Sequence, residues 1–501
     1  MISAFRIARP LFVWMFVFAT MGVALSFSSP VAHAEDPRAA GGMLAWPQGE
    51  MATALQIFVP NRMQKFNVPG LALAVVSDGK IVYAGTFGKA DRGTKTPVTP
   101  STLFDAGELG ETVAAYAAMG MVDDKLLFLD APLSRDLETS WLTDADDSAK
   151  ITLREVLTHG SGLGDNVAHP SHSTRIAPGT RFSHSGVGFL YLQHVMEALT
   201  HEPFDVLMQD RVFKPIGMEA SGYLATPQTQ AQSARGYVSL SFLLKVFYLP
   251  FAIAFILILV TLWLVSWFLL QRRLDPIDVL WPLFGASVFA VAIVWWGLGF
   301  ASAVFVVGGA LLCALVVGLL GGIAYYLLYV VGLARARDGI ISRGGGNREG
   351  MVGLIAIVVA LVGFLPALYW SIPVMRLDGL RGAPRANVAT SFHTTASDMA
   401  RFMIEVLNGD QLGDRMKSRM LSERVAVGGP FYWSLFSGVR VDENHETFWT
   451  RGSALGFESL MVMDPSRDAG VVVLTNSRAG GELAQDIARN ILGVEAVWSL
   501  P

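Results

Sequence analysis

One cysteine, Cys313, stands in a chain of 501 residues, which excludes an intramolecular disulfide and a cysteine-built metal centre. It lies inside an apolar run and reads as an inert packing residue. Charge is scarce as well. Asp, Glu, Lys and Arg make up 16% of the chain, against roughly 25% in average soluble proteins. Basic residues number 38 and acidic ones 42, a net charge of −4, so there is no electrostatic footprint for nucleic acid. No cofactor motif is present: Gly344-Gly345-Gly346 lacks the lysine and the strand–helix setting of a phosphate loop. Hydrophobic residues, at 52%, take the place of the missing charge and point to membrane content.

That content is concentrated in a few places. Residues 246–270, 279–300, 301–333 and 351–375 carry no charge, and each exceeds the roughly 20 apolar residues a membrane-spanning helix needs. A buried core helix does not need such length four times in succession. Arg272 and Arg273 follow the first run; Arg335, Arg337, Arg343 and Arg348 follow the third; no Lys or Arg separates the second from the third. The positive-inside rule then puts the arginine-rich links in the cytoplasm. Lys245 and Asp278 lie only at the edges of the runs, which gives little support to an ion path. At the start, Arg6 and Arg9, the apolar stretch 11–25 and Ala32-His33-Ala34 read as a secretory signal with its cleavage site. The expected organisation is a signal over 1–34, a globular part over 35–238, four membrane spans within 239–376, and the rest of the globular part over 377–501. The expected location is the inner membrane, multi-pass, with the globular domain on the periplasmic side.

The globular parts alternate in type. Residues 49–65 have helical spacing of Met51, Leu55, Phe58 and Met63. Residues 71–76 and 81–87 read as strands joined at Asp78-Gly79, a hairpin signal. This turn spells Ser77-x-x-Lys80, but a hairpin tip supplies neither a helix start nor a pocket for a nucleophile. A helix is expected around 112–120. Farther on, a helix opens near Thr395 or Ser397, either of which suits an N-cap. Residues 431–441 read as strand, followed by strands at 448–457, 459–463 and 470–475 and a closing helix at 483–492.

Several stretches carry recognisable wording. Residues 102–111 read TLFDAGELGE, 151–163 ITLREVLTHGSGL, 177–186 APGTRFSHSG, 213–218 FKPIGM, 234–237 ARGY, 394–402 TTASDMARF and 449–457 WTRGSALGF. Together they resemble the serine β-lactamase-like and penicillin-binding protein family, the class C β-lactamase-related serine hydrolases. The resemblance covers roughly 52–237 and 389–492. It implies an α+β, β-lactamase/transpeptidase-like fold, an antiparallel sheet flanked by helices plus a helical lobe. The apolar insertion has no counterpart in it.

The resemblance also marks where this chain departs. The family's Ser-x-x-Lys, in which Ser attacks a carbonyl and Lys helps take its proton, falls on Glu108 and Glu111. Its Tyr-x-Asn falls on His184 and Gly186, and its Lys/His-x-Gly on Thr450 and Gly452. Strand alternation puts Thr450 and Gly452 on one face and turns Arg451 away. His159 reads as a structural hydrogen-bonding group. With the nucleophile and both activating cations gone, acyl-serine chemistry by the family route is not expected. The backbone donors of an oxyanion hole, at Glu108 and Ser453, would face a carboxylate. Glu108, Glu111 and His184 leave three readings open: a divalent metal site, a carboxylate–histidine acid/base pair, or a decayed pocket of solvated or Arg-paired glutamates. The leading expectation is a membrane-embedded pseudoenzyme that binds cell-wall peptide, another acyl ligand, or a membrane or periplasmic partner protein. The alternatives are an active hydrolase using Ser183 or Ser185 beside His184, and a membrane-complex subunit with an outer sensor domain.

Overall fold

The computed structural model describes residues 42–238, 385–442 and 445–499. The expected signal and all four apolar runs lie outside these residues. Among the described residues no helix is long and apolar enough to cross a membrane.

Helix α1 (Gln48–Phe66) buries Met51, Leu55, Val59 and Met63 on one face and stops at Asn67 in the left-handed conformation, φ 53°. Strands β1 (Gly70–Ser77) and β2 (Lys80–Asp91) follow, and Ser77 pairs with Lys80 across the turn. Asp78 and Gly79 there have φ of 50° and 67°, the positive values a two-residue hairpin favours. The Ser-x-x-Lys spelling is therefore a hairpin tip, as expected. Strands β3 (Thr96–Pro97) and β4 (Phe104–Asp105) lead into α2 (Leu109–Asp123), which is longer at both ends than its apolar pattern indicated. Helices α3 (Leu153–Leu157) and α4 (Gly186–Thr200) belong to the helical lobe.

The chain re-enters at β5 (His393–Thr394), which pairs with β4. Helix α5 (Ala396–Asn408) starts on Thr395, whose hydroxyl accepts the Asp398 N–H at 3.1 Å; Thr395, not Ser397, is the cap. Strands β6 (Arg424–Gly428), β7 (Phe431–Ser434), β8 (Gly438–Asp442), β9 (His445–Ala454), β10 (Phe457–Asp464) and β11 (Ala469–Thr475) precede the closing helix α6 (Gly480–Leu492). The stretch 431–441 is thus two strands rather than one. The Ser434 hydroxyl accepts the Ser437 N–H at 3.2 Å and donates to its carbonyl at 2.9 Å, folding the chain back just before Gly438.

The large sheet is antiparallel in the order β3-β2-β1-β11-β10-β9-β8-β7-β6. Its central strands are buried on both faces. Leu71, Leu73, Val471 and Val473 pack with Leu55 of α1 and Ile487 of α6. Ala72, Ala74, Val472 and Leu474 pack toward α2, α5 and the helical lobe. The two segments of the chain form one fold. Val388 N–H donates to Gln193 Oε1 at 3.0 Å, and Tyr237 N–H lies 3.1 Å from the carbonyls of both Gly456 and Asn476.

The seam between β9 and the turn before α2 positions the site. A side chain at Gly452 would put its Cβ 1.8 Å from the Ala106 carbonyl oxygen, and one at Gly107 would put it 2.6 Å from the Ser453 nitrogen. Gly107 also has φ of 56°. Backbone meets backbone here because neither residue has a Cβ. Gly452→Ala should therefore lower stability by about 1–3 kcal/mol, read as a fall in the thermal unfolding midpoint.

Candidate active site

Helix α2 runs through the interior, with nearly every residue from Leu109 to Met119 buried. Its first turn opens into a cavity of about 350 Å³ lined by Glu108, Glu111, His159, His184, Trp433 and Arg478 among others. Tyr223 fixes the helix start by donating its hydroxyl to the Gly110 carbonyl at 2.5 Å. Thr112 and Thr450 meet through their hydroxyls at 2.9 Å. Thr450 and Gly452 face α2, as alternation predicted. Arg451 leaves the strand on the other face, and its guanidinium reaches Glu458 Oε2 at 3.4 Å, at the rim of the same cavity.

Glu108 is the residue just before α2. Its carboxylate accepts the Ser453 N–H at 2.5 Å. The Ser453 N–H, one of the two backbone donors named from the sequence, is thus taken by the Glu108 carboxylate. Burial raises the Glu108 pKa, while the Ser453 N–H works against that rise.

Glu111 is 4% exposed. Its Oε2 lies 3.6 Å from His184 Nε2 and 3.9 Å from His159 Nε2. Its Oε1 has no hydrogen-bond partner among the described residues. Burial pushes the Glu111 carboxyl up to about 7, against the pull of the neighbouring His184. His184 Nδ1 pairs with Asp165 Oδ1 at 3.1 Å. Burial opposes its charge, but Asp165 and Glu111 together outweigh that and hold the imidazole up to about 11. His184 is thus an imidazolium at neutral pH.

His159 ends helix α3 in the left-handed conformation, φ 53°. Its Nδ1 accepts the Ser185 N–H at 3.2 Å, so the neutral ring carries its proton on Nε2. Burial, and then the charge on His184, hold its pKa well below the usual histidine value. The structural role expected of His159 holds, and the ring also forms a wall of the pocket: it lies 4.4 Å from His184 and 4.8 Å from Trp433, centroid to centroid.

The structure corrects two groupings. Glu108 does not join Glu111 and His184 in a metal-type cluster, because its carboxylate is turned to Ser453; among the described residues the third member of that cluster is His159. Ser185 is not a free hydroxyl beside His184. It caps α4, accepting the Gly188 N–H at 2.9 Å and donating to the Gly164 carbonyl at 3.0 Å. Gly186 contributes only its N–H, to Asp165 Oδ1 at 2.9 Å. A Cβ there would lie 2.7 Å from Val167, so the family's Asn side chain has no room.

Sequence reasoning missed Asp165, Trp433 and the rim network of Arg451, Glu458 and Arg478. Glu458 Oε1 pairs with Arg478 Nη1 at 2.7 Å and accepts the Ser453 hydroxyl at 3.0 Å. Asp165 sits in a loop without periodicity. Glu458 and Ser453 are cross-strand partners, and only that pairing could have signalled the network.

A family model described as Beta-lactamase matches residues 56–246 and 363–496. The chain belongs to the beta-lactamase family. It is similar to penicillin-binding protein 4 of Amycolatopsis lactamdurans, 29% identical over 171 residues, covering 31% of this chain and 45% of that protein. A Pseudomonas fluorescens protein named beta-lactamase is 27% identical over 189 residues, 35% of this chain and 51% of that one. The chain spans about half the length of these curated relatives. Among solved structures, D-alanine carboxypeptidase AmpC from Burkholderia cenocepacia superposes with a TM-score of 0.52 at 17% identity, over 89% of this chain and 99% of that one. The octameric penicillin-binding protein homologue from Pyrococcus abyssi gives 0.53 at 15%, over 90% and 79%. At these identities the structural likeness shows the beta-lactamase fold alone.

Asp105, on β4 three residues before Glu108, is buried and also feels the Glu108 charge. Burial raises its carboxyl to about 7, while the Gly107 N–H it accepts at 3.3 Å works the other way. A folded-state pKa raised above the unfolded value of 3.8 gives stability that is complete below that value and lost as pH rises through about 7. Asp105→Asn should remove this loss. Denaturant unfolding of both proteins should show the variant gaining on the wild type, by as much as a few kcal/mol, as pH goes from 4 to 8.

Proposed function

We propose that this chain is a beta-lactamase-family pseudoenzyme: a pocket that binds cell-wall peptide or another acyl ligand, or a partner protein, without forming an acyl-serine. The observation that carries this reading is the Glu108 carboxylate on the Ser453 N–H. The residue at the nucleophile position has no hydroxyl, and its side chain takes the Ser453 N–H, one of the donors that would stabilise a tetrahedral oxyanion. Glu111 at the lysine position supplies a carboxylate where the family route needs an amine. The rival use of Ser185 is opposed by its capping bonds, since its proton goes to a backbone carbonyl and not to a base.

The proposed setting is the inner membrane. The globular domain would face the periplasm and the uncharged runs of 239–376 would cross the bilayer four times. The support is the sequence: long apolar runs and arginine confined to alternate links.

Two experiments test this reading. The purified chain is exposed to a fluorescent penicillin and a fluorophosphonate beside a Glu108→Ser, Glu111→Lys double variant. The wild type should take no covalent label; a labelled wild-type residue would overturn the pseudoenzyme. For topology, the lone Cys313 should resist a membrane-impermeant maleimide in intact cells, while a cysteine introduced at Arg343 should react only after the inner membrane is opened. Labelling of the 343 site from outside would refute the orientation.

A further inference from the structure

The charged groups that line the cavity are matched to one another. Glu458 holds Arg478 at 2.7 Å and Arg451 at 3.4 Å. His184 has Asp165 Oδ1 at 3.1 Å on one side and Glu111 Oε2 at 3.6 Å on the other. The Glu108 carboxylate takes the Ser453 N–H. A ligand bringing a charge of either sign would have to break one of these pairings, and a charge left without a partner in a buried site is costly. Two polar atoms of the lining stand outside this arrangement. Among the described residues, Trp449 Nε1 and Glu111 Oε1 are buried with no hydrogen-bond partner. The first can only donate, and the second is a carboxyl oxygen that can accept. Both residues line the cavity. The wall they share is aromatic: Trp433 stands edge to face 6.1 Å from Trp449 and 4.8 Å from His159, and Phe189 and Phe436 line the same space.

We infer that the cavity takes an uncharged amide carrying an aromatic or apolar group. The amide carbonyl accepts the Trp449 indole N–H, the amide N–H donates to Glu111 Oε1, and the apolar group packs on Trp433. An amide offers one strong acceptor and one strong donor with no net charge, so it supplies what these two atoms lack and leaves every charge pairing intact. A buried polar atom without a partner carries its desolvation cost already, and a ligand that satisfies it therefore gains more than the same bond would give at an exposed site. The cavity, about 350 Å³, falls in the range of about 300–1,000 Å³ usual for small-molecule sites, which pair an apolar lining with a few placed polar groups. This ligand class rests on the reading of the cavity as a binding pocket. Within that reading it selects a neutral acylated amine or internal peptide bond over a charged ligand.

The test titrates the full chain, by calorimetry and ligand-observed NMR, with three probes that share a benzyl group: neutral N-benzylacetamide, anionic phenylacetate and cationic benzylamine. The amide should bind once per chain and at least about tenfold more tightly than either charged probe. Trp449→Phe removes the indole N–H, and Glu111→Met removes the carboxyl oxygens. Each should weaken amide binding at least about threefold, the scale of one net hydrogen bond. Far-UV circular dichroism checks that each variant is folded. Where a variant does not fold, the ranking of the three probes on the wild type still decides. No saturable binding of the amide, a charged probe bound as tightly as the amide, or unchanged affinity in either folded variant would each overturn the assignment. Covalent labelling reads acyl-serine chemistry separately. A labelled wild type would leave the probe ranking standing, and a failed ranking would leave an unlabelled pseudoenzyme standing.

Discussion

The contact on which the site depends is the bare-backbone seam between Gly452-Ser453 and Ala106-Gly107. It joins parts of the chain more than three hundred positions apart: the Ser453 N–H bond to Glu108 spans 345 residues. The Ser459 hydroxyl reinforces it by donating to the Ala106 carbonyl at 2.8 Å. Because no side chain intervenes, the Ser453 N–H points directly at whatever residue 108 presents. A serine side chain there is short and would leave that donor to a ligand. Glutamate has the length to fold back and accept it. What the Ser453 N–H at this seam meets is therefore decided by the reach of the side chain at position 108.

Electrostatics decide how so many carboxylates coexist in one pocket. Glu458 is paired with Arg478 and Arg451 at the rim. His184 is held between Asp165 and Glu111 and carries its charge for that reason. Glu108 leans on the Ser453 N–H. Glu111 is the residue left short, with one oxygen 3.6 Å from an imidazolium and the other unpartnered. Burial acts against ionised carboxylates throughout, and the groups nearest the centre feel it most.

Much of the scaffold was legible because periodicity and turn chemistry are local. The spacing of Met51, Leu55 and Met63 gave α1, and Asp78-Gly79 gave the β1–β2 hairpin. Alternation gave the facing of Thr450, Arg451 and Gly452. What was not legible depended on side-chain bonds that sequence spacing does not encode. The β7–β8 turn is made by a serine hydroxyl, so 431–441 read as one strand. Ser185 read as a hydroxyl near His184, but only the Gly164 and Gly188 contacts reveal a cap. Glu108 and Glu111, three apart at a helix start, read as neighbours on one face. Glu108 in fact sits before the helix and turns to β9, while Glu111 turns inward to two histidines. Asp165, which sets the charge of His184, lies in a loop with no pattern at all.

The retained motif wording has a structural cause that is independent of catalysis. Gly452 and Gly107 are required by the close approach of two backbones, whatever chemistry follows. His159 ends a helix and receives a backbone N–H from the start of the next. Ser185 caps that helix. A chain keeps these residues to keep the fold, so their presence argues for the scaffold and not for the reaction. The reaction has to be argued from the polar groups that line the cavity, which include Glu108, Glu111, His159 and His184 at its centre and Arg451, Glu458 and Arg478 at its rim. Neither a hydroxyl at position 108 nor an amine at position 111 is in that set, and the rim arginines are engaged with Glu458.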